Sequence, residues 1–218
     1  MGLGTAFFPV VGALIGAILY GASWMLDLAF PDIVRAVLIL ALWILLTGGL
    51  HVDGFLDACD GLLGGYTAES RLEIMRDERI GSFAFTGGVL LLLLFFSAAY
   101  ELPVLTPAWL LAPILGRWGM TLVIVAFPYA RSTGLGSDMK ANASWVQVLV
   151  ASLFSIPFVL LIGGFAGAVA LLVSLLVTGC TVWFSLRRIP GLTGDIYGAI
   201  CLLVEASTLL VFTLQVWQ

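Results

Sequence analysis

Apolar stretches about as long as a bilayer is thick recur along these 218 residues, and few folds can accommodate them. They lie at roughly 5–26, 33–50, 83–101, 108–127, 146–163, 165–186 and 196–216. Hydrophobic residues make up 61% of the chain and charged residues 10%, against a usual share near one half and one quarter. No water-soluble core of this size could bury that much apolar surface. Runs near 20 residues suit helices, which satisfy their own backbone groups in lipid, rather than barrel strands of about ten. The expected fold is therefore all-α: a polytopic integral membrane helix bundle of about seven transmembrane helices, forming one domain over 1–218. "GGFAG" at 163–167 predicts a tight turn between two spans, and "RRIPGLTGD" at 187–195 a polar loop that Pro190 and Gly191 keep from being helical. The first apolar run carries no Lys or Arg and no cleavage pattern, so it reads as a span and not a secretory signal.

Charge placement orients the bundle. With seven spans, the loops near 51–82, 128–145 and 187–195 share a face with the N-terminus. They hold Arg71, Arg76, Arg79, Arg131, Lys140, Arg187 and Arg188, seven of the nine cationic residues. The opposite loops hold Asp27, Asp32, Glu101 and only Arg35. The positive-inside rule then places the N-terminus and the long loops in the cytoplasm. A net charge of −4 without a basic tract argues against a nucleic-acid partner. Cys59, Cys180 and Cys201 lack CxxC spacing and read as reduced, structural thiols.

The chemistry-bearing stretch is "GGLHVDGFLDACDGLLGG", residues 48–65. Asp53, Asp57 and Asp60 stand at i, i+4 and i+7, one stripe of a helix, beside His51, the single histidine. Such like charges repel by a few tenths of a kcal/mol per exposed pair, and more when half-buried. A solvated acidic helix end is the bland explanation. A divalent cation that neutralises the stripe is the sharper one, and Mg²⁺ suits one or two carboxylates completed by substrate phosphate oxygens. Gly54 and Gly61 each follow an aspartate and disfavour a helix; close approach of a ligand to the backbone would account for them.

"SRLEIMRDERIGSF" (70–83) repeats Glu73, Arg76, Asp77 and Ile80 at helical spacing. An interfacial helix with a Glu73–Arg76 pair competes there with a functional role: Asp77 joining the carboxylates while Arg76 and Arg79 hold phosphates. In "YARSTGLGSDMK" (129–140), Arg131 and Lys140 flank two glycines and either bind an anion or merely set topology. Thr193 and Asp195 at the mouth of the last span read as an N-cap or a site residue. Arg117 and Glu205 lie about ten residues inside their spans, ~15 Å deep, where a lone charge costs several kcal/mol. They should pair, or a polar cavity should reach them.

These strings together resemble the cobalamin-5′-phosphate synthase (adenosylcobinamide-GDP ribazoletransferase) family. The resemblance rests on "TGGLHVDGFLDACDGLLGG" followed by "RLEIMRDERIGSF", and extends to "FFPVVGALIGA", Arg117, "ARSTGLG", "LTGDIYGA" and Glu205, in order over nearly the whole chain. It implies an inner-membrane, Mg²⁺-dependent transferase that joins adenosylcobinamide-GDP to α-ribazole or its 5′-phosphate and releases GMP. By motif, Asp53, Asp57, Asp60 and Asp77 would be the metal-binding and catalytic set, with Asp60 the candidate base. His51, Arg76, Arg79, Arg117, Arg131, Lys140, Asp195 and Glu205 would face substrate. The implied partners are those two substrates and the lipid bilayer, with room for a homo-oligomer. One departure is the start of the chain, which lies almost at the first span where the family has a longer polar stretch. A phosphatidyltransferase using a CDP-linked alcohol is the nearest rival, but its D-G-x-x-A-R pattern meets Asp57-Ala58 where Ala-Arg belongs. A cation transporter would place its acidic groups at the midplane between repeated halves, and no repeat is evident.

Overall fold

The computed structural model describes residues 2–133 and 135–217, and among these every regular element is helical apart from one isolated β-bridge. A short 3₁₀ segment leads into α1 (Phe8–Asp27), followed by α2 (Asp32–Leu46), α3 (Leu50–Gly64) and α4 (Ala68–Ile74). Then come α5 (Ser82–Glu101), α6 (Ala108–Ala126), α7 (Leu135–Ala141), α8 (Trp145–Leu186) and α9 (Gly194–Phe212). Five of these helices are long and apolar enough to cross a membrane, or six if α2 and α3 count as one broken span.

The expected second span, 33–50, is the main difference. Its helix stops at Leu46, because Gly48 (φ 60°) and Gly49 (φ 72°) adopt the left-handed conformation that ends helices. α3 then leaves at 88° to α2. The aspartate stripe thus stands on a helix of its own rather than on the end of a span. The last span also closes earlier than expected, at Phe212.

α8 runs for 42 residues but breaks at Gly164 (φ 54°, ψ −134°). A Cβ on Gly167 would lie 2.4 Å from the Val159 carbonyl oxygen. Eight residues of straight helix would separate those two positions by about 12 Å. The chain therefore doubles back there, as "GGFAG" predicts.

α6 and α9 form the centre and are buried on most sides, while α8 leaves much of its surface outward. α1 seats against α6 through Gly12 and Gly16, where a Cβ would meet Pro113 oxygen at 2.3 Å and Leu110 Cα at 2.8 Å. This is the small-xxx-small contact by which membrane helices bring their backbones together. At one end of the bundle Arg35, nearly fully buried, donates to Asp32 at 2.9 Å and Ser23 at 3.2 Å. It thereby joins α1 to α2. The other end carries the site.

Candidate active site

Three segments far apart in sequence converge at that end. Ala130 N–H donates to Leu192 oxygen and Leu192 N–H to Pro128 oxygen, both at 2.8 Å, zipping the 128–131 loop to the start of α9. Arg131 then donates to Asp195 at 2.7 Å and to the Met75 carbonyl at 3.4 Å. Arg71 reaches the Arg188 carbonyl at 3.4 Å. Arg131, Asp195 and the Arg71–Met75 stretch, from three separate loops, are thus brought together. Thr193 caps α9 by accepting from Ile196 N–H at 3.3 Å, which leaves the Asp195 carboxylate for Arg131 and the Thr193 hydroxyl.

α3 crosses α9 antiparallel. A Cβ on Gly54 would lie 3.0 Å from Asp195 oxygen, and one on Gly198 would lie 3.3 Å from His51 Cα. A Cβ on Gly61 would meet Arg71 oxygen at 2.8 Å and the Met75 side chain at 2.3 Å. These glycines therefore serve contact between chain segments, not approach by a ligand, contrary to the sequence-based expectation.

The aspartates divide by their partners. Asp60 accepts from Gly81 N–H at 2.6 Å and Ala84 N–H at 2.8 Å, and so caps the N-terminus of α5 from outside that helix. The segment after α4 is irregular, because Arg76 and Asp77 N–H groups fold back on Glu73 and Ile74 carbonyls in i→i+3 turns. The helical run expected over 70–83 stops at Ile74, and no Glu73–Arg76 pair forms among the described residues. Asp77 instead takes bonds from the Arg79 guanidinium at 2.7 and 3.0 Å, which hold its carboxyl well below the usual range, at about 2. The Asp53 and Asp57 carboxylates have no hydrogen-bond or ion-pair partner among the described residues. The charges acting on Asp57 are those of Asp53, Asp195 and Asp60, opposed by Arg131.

Two hollows adjoin these groups. An acidic one of about 270 Å³ is bordered by Asp53, Asp57, Asp60 and Asp77 together with Arg76 and Arg79. A larger one of about 500 Å³ runs between α3, α6 and α9 to His51, past Met120, Tyr129, Met139 and Tyr197. Asp53 and Arg76 border both. No three His, Cys, Asp or Glu side chains among the described residues stand close enough to form a complete ion cage by themselves.

Below the larger hollow, Arg117 and Glu205 form the ion pair that their depth demands, with Arg117 also donating to Pro113 oxygen at 3.3 Å and lying 3.5 Å from His51 Nδ1. Lys140 does not face the site: it donates to Val125 oxygen at 2.8 Å, where α6 ends, and burial pushes its ammonium pKa down. Gly136 rests against the Tyr129 ring, and Gly134, its expected partner in anion binding, lies outside the described residues. Cys59, Cys180 and Cys201 are free thiols.

The family model for cobalamin-5-phosphate synthase matches residues 1–213. The chain belongs to that family. Among curated relatives, the adenosylcobinamide-GDP ribazoletransferase of a Roseiflexus species is 37% identical over 213 residues, covering 96% of this chain and 78% of its own. Those of Stutzerimonas stutzeri and Pseudomonas entomophila are each 40% identical, covering 96% and 99% of this chain and 86% and 89% of theirs. No solved structure matches. As a cobalamin-5-phosphate synthase family member the protein is an enzyme, a transferase of cobalamin biosynthesis, which favours this reading over the CDP-alcohol and transporter alternatives. What sequence reasoning missed in this family member is the cap role of Asp60 and the α1–α6 seam. The Gly12-xxx-Gly16 spacing carried the signal for the seam.

Proposed function

We propose that the protein joins adenosylcobinamide-GDP to α-ribazole or its 5′-phosphate with release of GMP, as a Mg²⁺-dependent enzyme of the inner membrane. In this reading the chain crosses seven times, the two arms of α8 counting separately, and the site end faces the cytoplasm. The observation that carries it is the pair Asp53 and Asp57: two carboxylates without partners, facing a hollow rimmed by arginines.

The donor set fits Mg²⁺. It is all oxygen, and it is too sparse for an all-protein cage, which suits an ion that completes its shell with water and substrate phosphate. Asp57 would hold the ion, with the remaining lone pairs of Asp60 and Asp77 bordering the same hollow. When bound, it would neutralise charge spreading over the diphosphate. The chain's own groups do the rest. Arg76 and Arg79 offer planar forks to phosphate oxygens. A ribose hydroxyl attacks the phosphorus that carries cobinamide, and the bond from that phosphorus to the oxygen kept by GMP breaks. The hydroxyl proton needs a carboxylate. Asp60 is committed to the α5 cap, so the base assigned to it on sequence passes to Asp53, which borders both hollows.

Purified protein supplied with adenosylcobinamide-GDP, ribazole phosphate and Mg²⁺ should release GMP stoichiometrically with product. A chelator should stop it and added Mg²⁺ restore it. Release unaffected by chelator would remove the metal, and no release would remove the reaction.

A further inference from the structure

We propose that the acceptor's aromatic base binds inside the bundle, in the 500 Å³ cavity between α3, α6 and α9, while the donor's diphosphate stays in the acidic hollow at its mouth. The proposal rests on the ribazoletransferase reading and assigns its two substrates to separate subsites.

A transfer between two substrates needs adjoining spaces whose shared wall faces the reacting atoms, which must come within about 3–3.5 Å. The two hollows have such a wall, formed by Asp53 and Arg76. Volume then decides which substrate goes where. A cavity of about 500 Å³ falls in the range that encloses one nucleoside-sized ligand. A cobinamide is several times larger and must remain outside, above the loops. The acidic hollow, at about 270 Å³, suits a diphosphate but not a diphosphate and a base together.

Chemistry decides between the two remaining bases. The wall of the cavity presents more apolar than polar surface, with Leu50, Met120, Met139, Tyr129 and Tyr197 beside the polar side chains of His51, Asp53, Arg76, Arg131, Thr133 and Asp195. Of its two arginines, Arg131 is already committed to Asp195, and Arg76 stands in the wall shared with the acidic hollow. Guanine carries keto, imino and amino groups along one edge, and any that met Leu50, Met120 or Met139 instead of one of those polar groups would lose water without a partner, a costly exchange. A dimethylated benzimidazole presents methyl groups and a flat ring, which methionine and tyrosine accept without hydrogen bonds. His51, in the cavity wall, lies nine residues along α3 from Asp60, about 14 Å away, and stands 3.5 Å from the Arg117 guanidinium of the buried pair with Glu205. The apolar end of the acceptor is thereby drawn away from water, which gives the reaction a physical reason to occur in a membrane protein.

The test is a substrate-resolved KM measurement on detergent-purified protein carrying Met120→Phe or Met139→Phe. Each variant narrows the cavity, so KM for ribazole phosphate should rise about tenfold or more while KM for adenosylcobinamide-GDP stays within about twofold. The riboside of unsubstituted benzimidazole, smaller by two methyl groups, should lose less in the variants. A rise confined to the donor, or no change in either KM, overturns the assignment. If a Phe variant does not fold, Met120→Ala and Met139→Ala carry the test: the enlarged cavity should accept a riboside of naphth-fused imidazole about tenfold better than the wild type, and equal use overturns it. Wild-type protein that releases no GMP from this substrate pair would instead refute the transferase reading, independently of where either base sits.

Discussion

Arg117 on α6 and Glu205 on α9, 88 residues apart in sequence, form a direct ion pair with side chains only 5% and 0% exposed. Removing one partner strands the other charge in the bundle interior, so Arg117→Leu or Glu205→Leu should each cost about 3 kcal/mol or more. The double variant leaves no stranded charge and should be no less stable than either single. Thermal unfolding in detergent, with monodispersity checked first, reads all three. Fully additive losses would mean that the two groups do not act on each other.

Asp57 and Asp60 sit three residues apart on α3 yet should fail differently. Asp57 has no partner and faces three other carboxylates, so Asp57→Asn relieves repulsion. Its melting temperature should hold or rise while turnover disappears. Asp60 accepts the backbone N–H groups of Gly81 and Ala84 at the start of α5, and Asp60→Asn keeps one oxygen but loses the charge at a helix N-terminus. That variant should lose about 1 kcal/mol of stability along with activity. Equal melting temperatures for the two variants would contradict the assignment of the cap.

Arg131 ties the 128–131 loop to Asp195 and to the Met75 carbonyl. Arg131→Lys keeps the charge but replaces a planar fork with a point donor, and should not restore what Arg131→Ala loses. Both should reduce kcat/KM by about a hundredfold, since small displacements of positioning groups carry that penalty. In an Arg131→Ala background, Asp195→Asn should recover part of the loss by removing an unopposed charge. Initial rates of GMP release distinguish these outcomes.

The division between what the residues announce and what they conceal follows contact range. The length of the apolar runs marked the helices because each must hide its own backbone from lipid, and the depth of Arg117 and Glu205 required a partner. The break between α2 and α3 was written in Gly48 and Gly49, but the long apolar run up to Leu46, followed so soon by Leu50, masked it. The roles of Asp60 and Gly54 were not legible, because each is set by a backbone brought in from far along the chain: Gly81 and Ala84 for the first, Asp195 for the second. An aspartate shows the same residue type whether it binds an ion or caps a helix. The family motifs therefore mark side chains that the structure gathers at one end of the bundle, without apportioning the work among them.

The α1–α6 seam makes a prediction remote from the chemistry. A Cβ at Gly12 would stand 2.3 Å from the Pro113 carbonyl oxygen and 2.9 Å from Ile114 Cα, both backbone atoms that cannot swing aside. The two helices would have to separate, losing contact along the whole seam that Gly16 continues. Gly12→Ala should therefore cost about 2–3 kcal/mol, near the upper end for overpacking. Gly21, on the same helix, has nothing within 4 Å of its Cβ position, so Gly21→Ala should be neutral or slightly stabilising because alanine favours helix. Arg117 lies one turn from Pro113 on α6, so a displaced seam should disturb its pair with Glu205 as well. A melting temperature for Gly12→Ala equal to that of Gly21→Ala would show that α1 and α6 do not meet where these glycines place them.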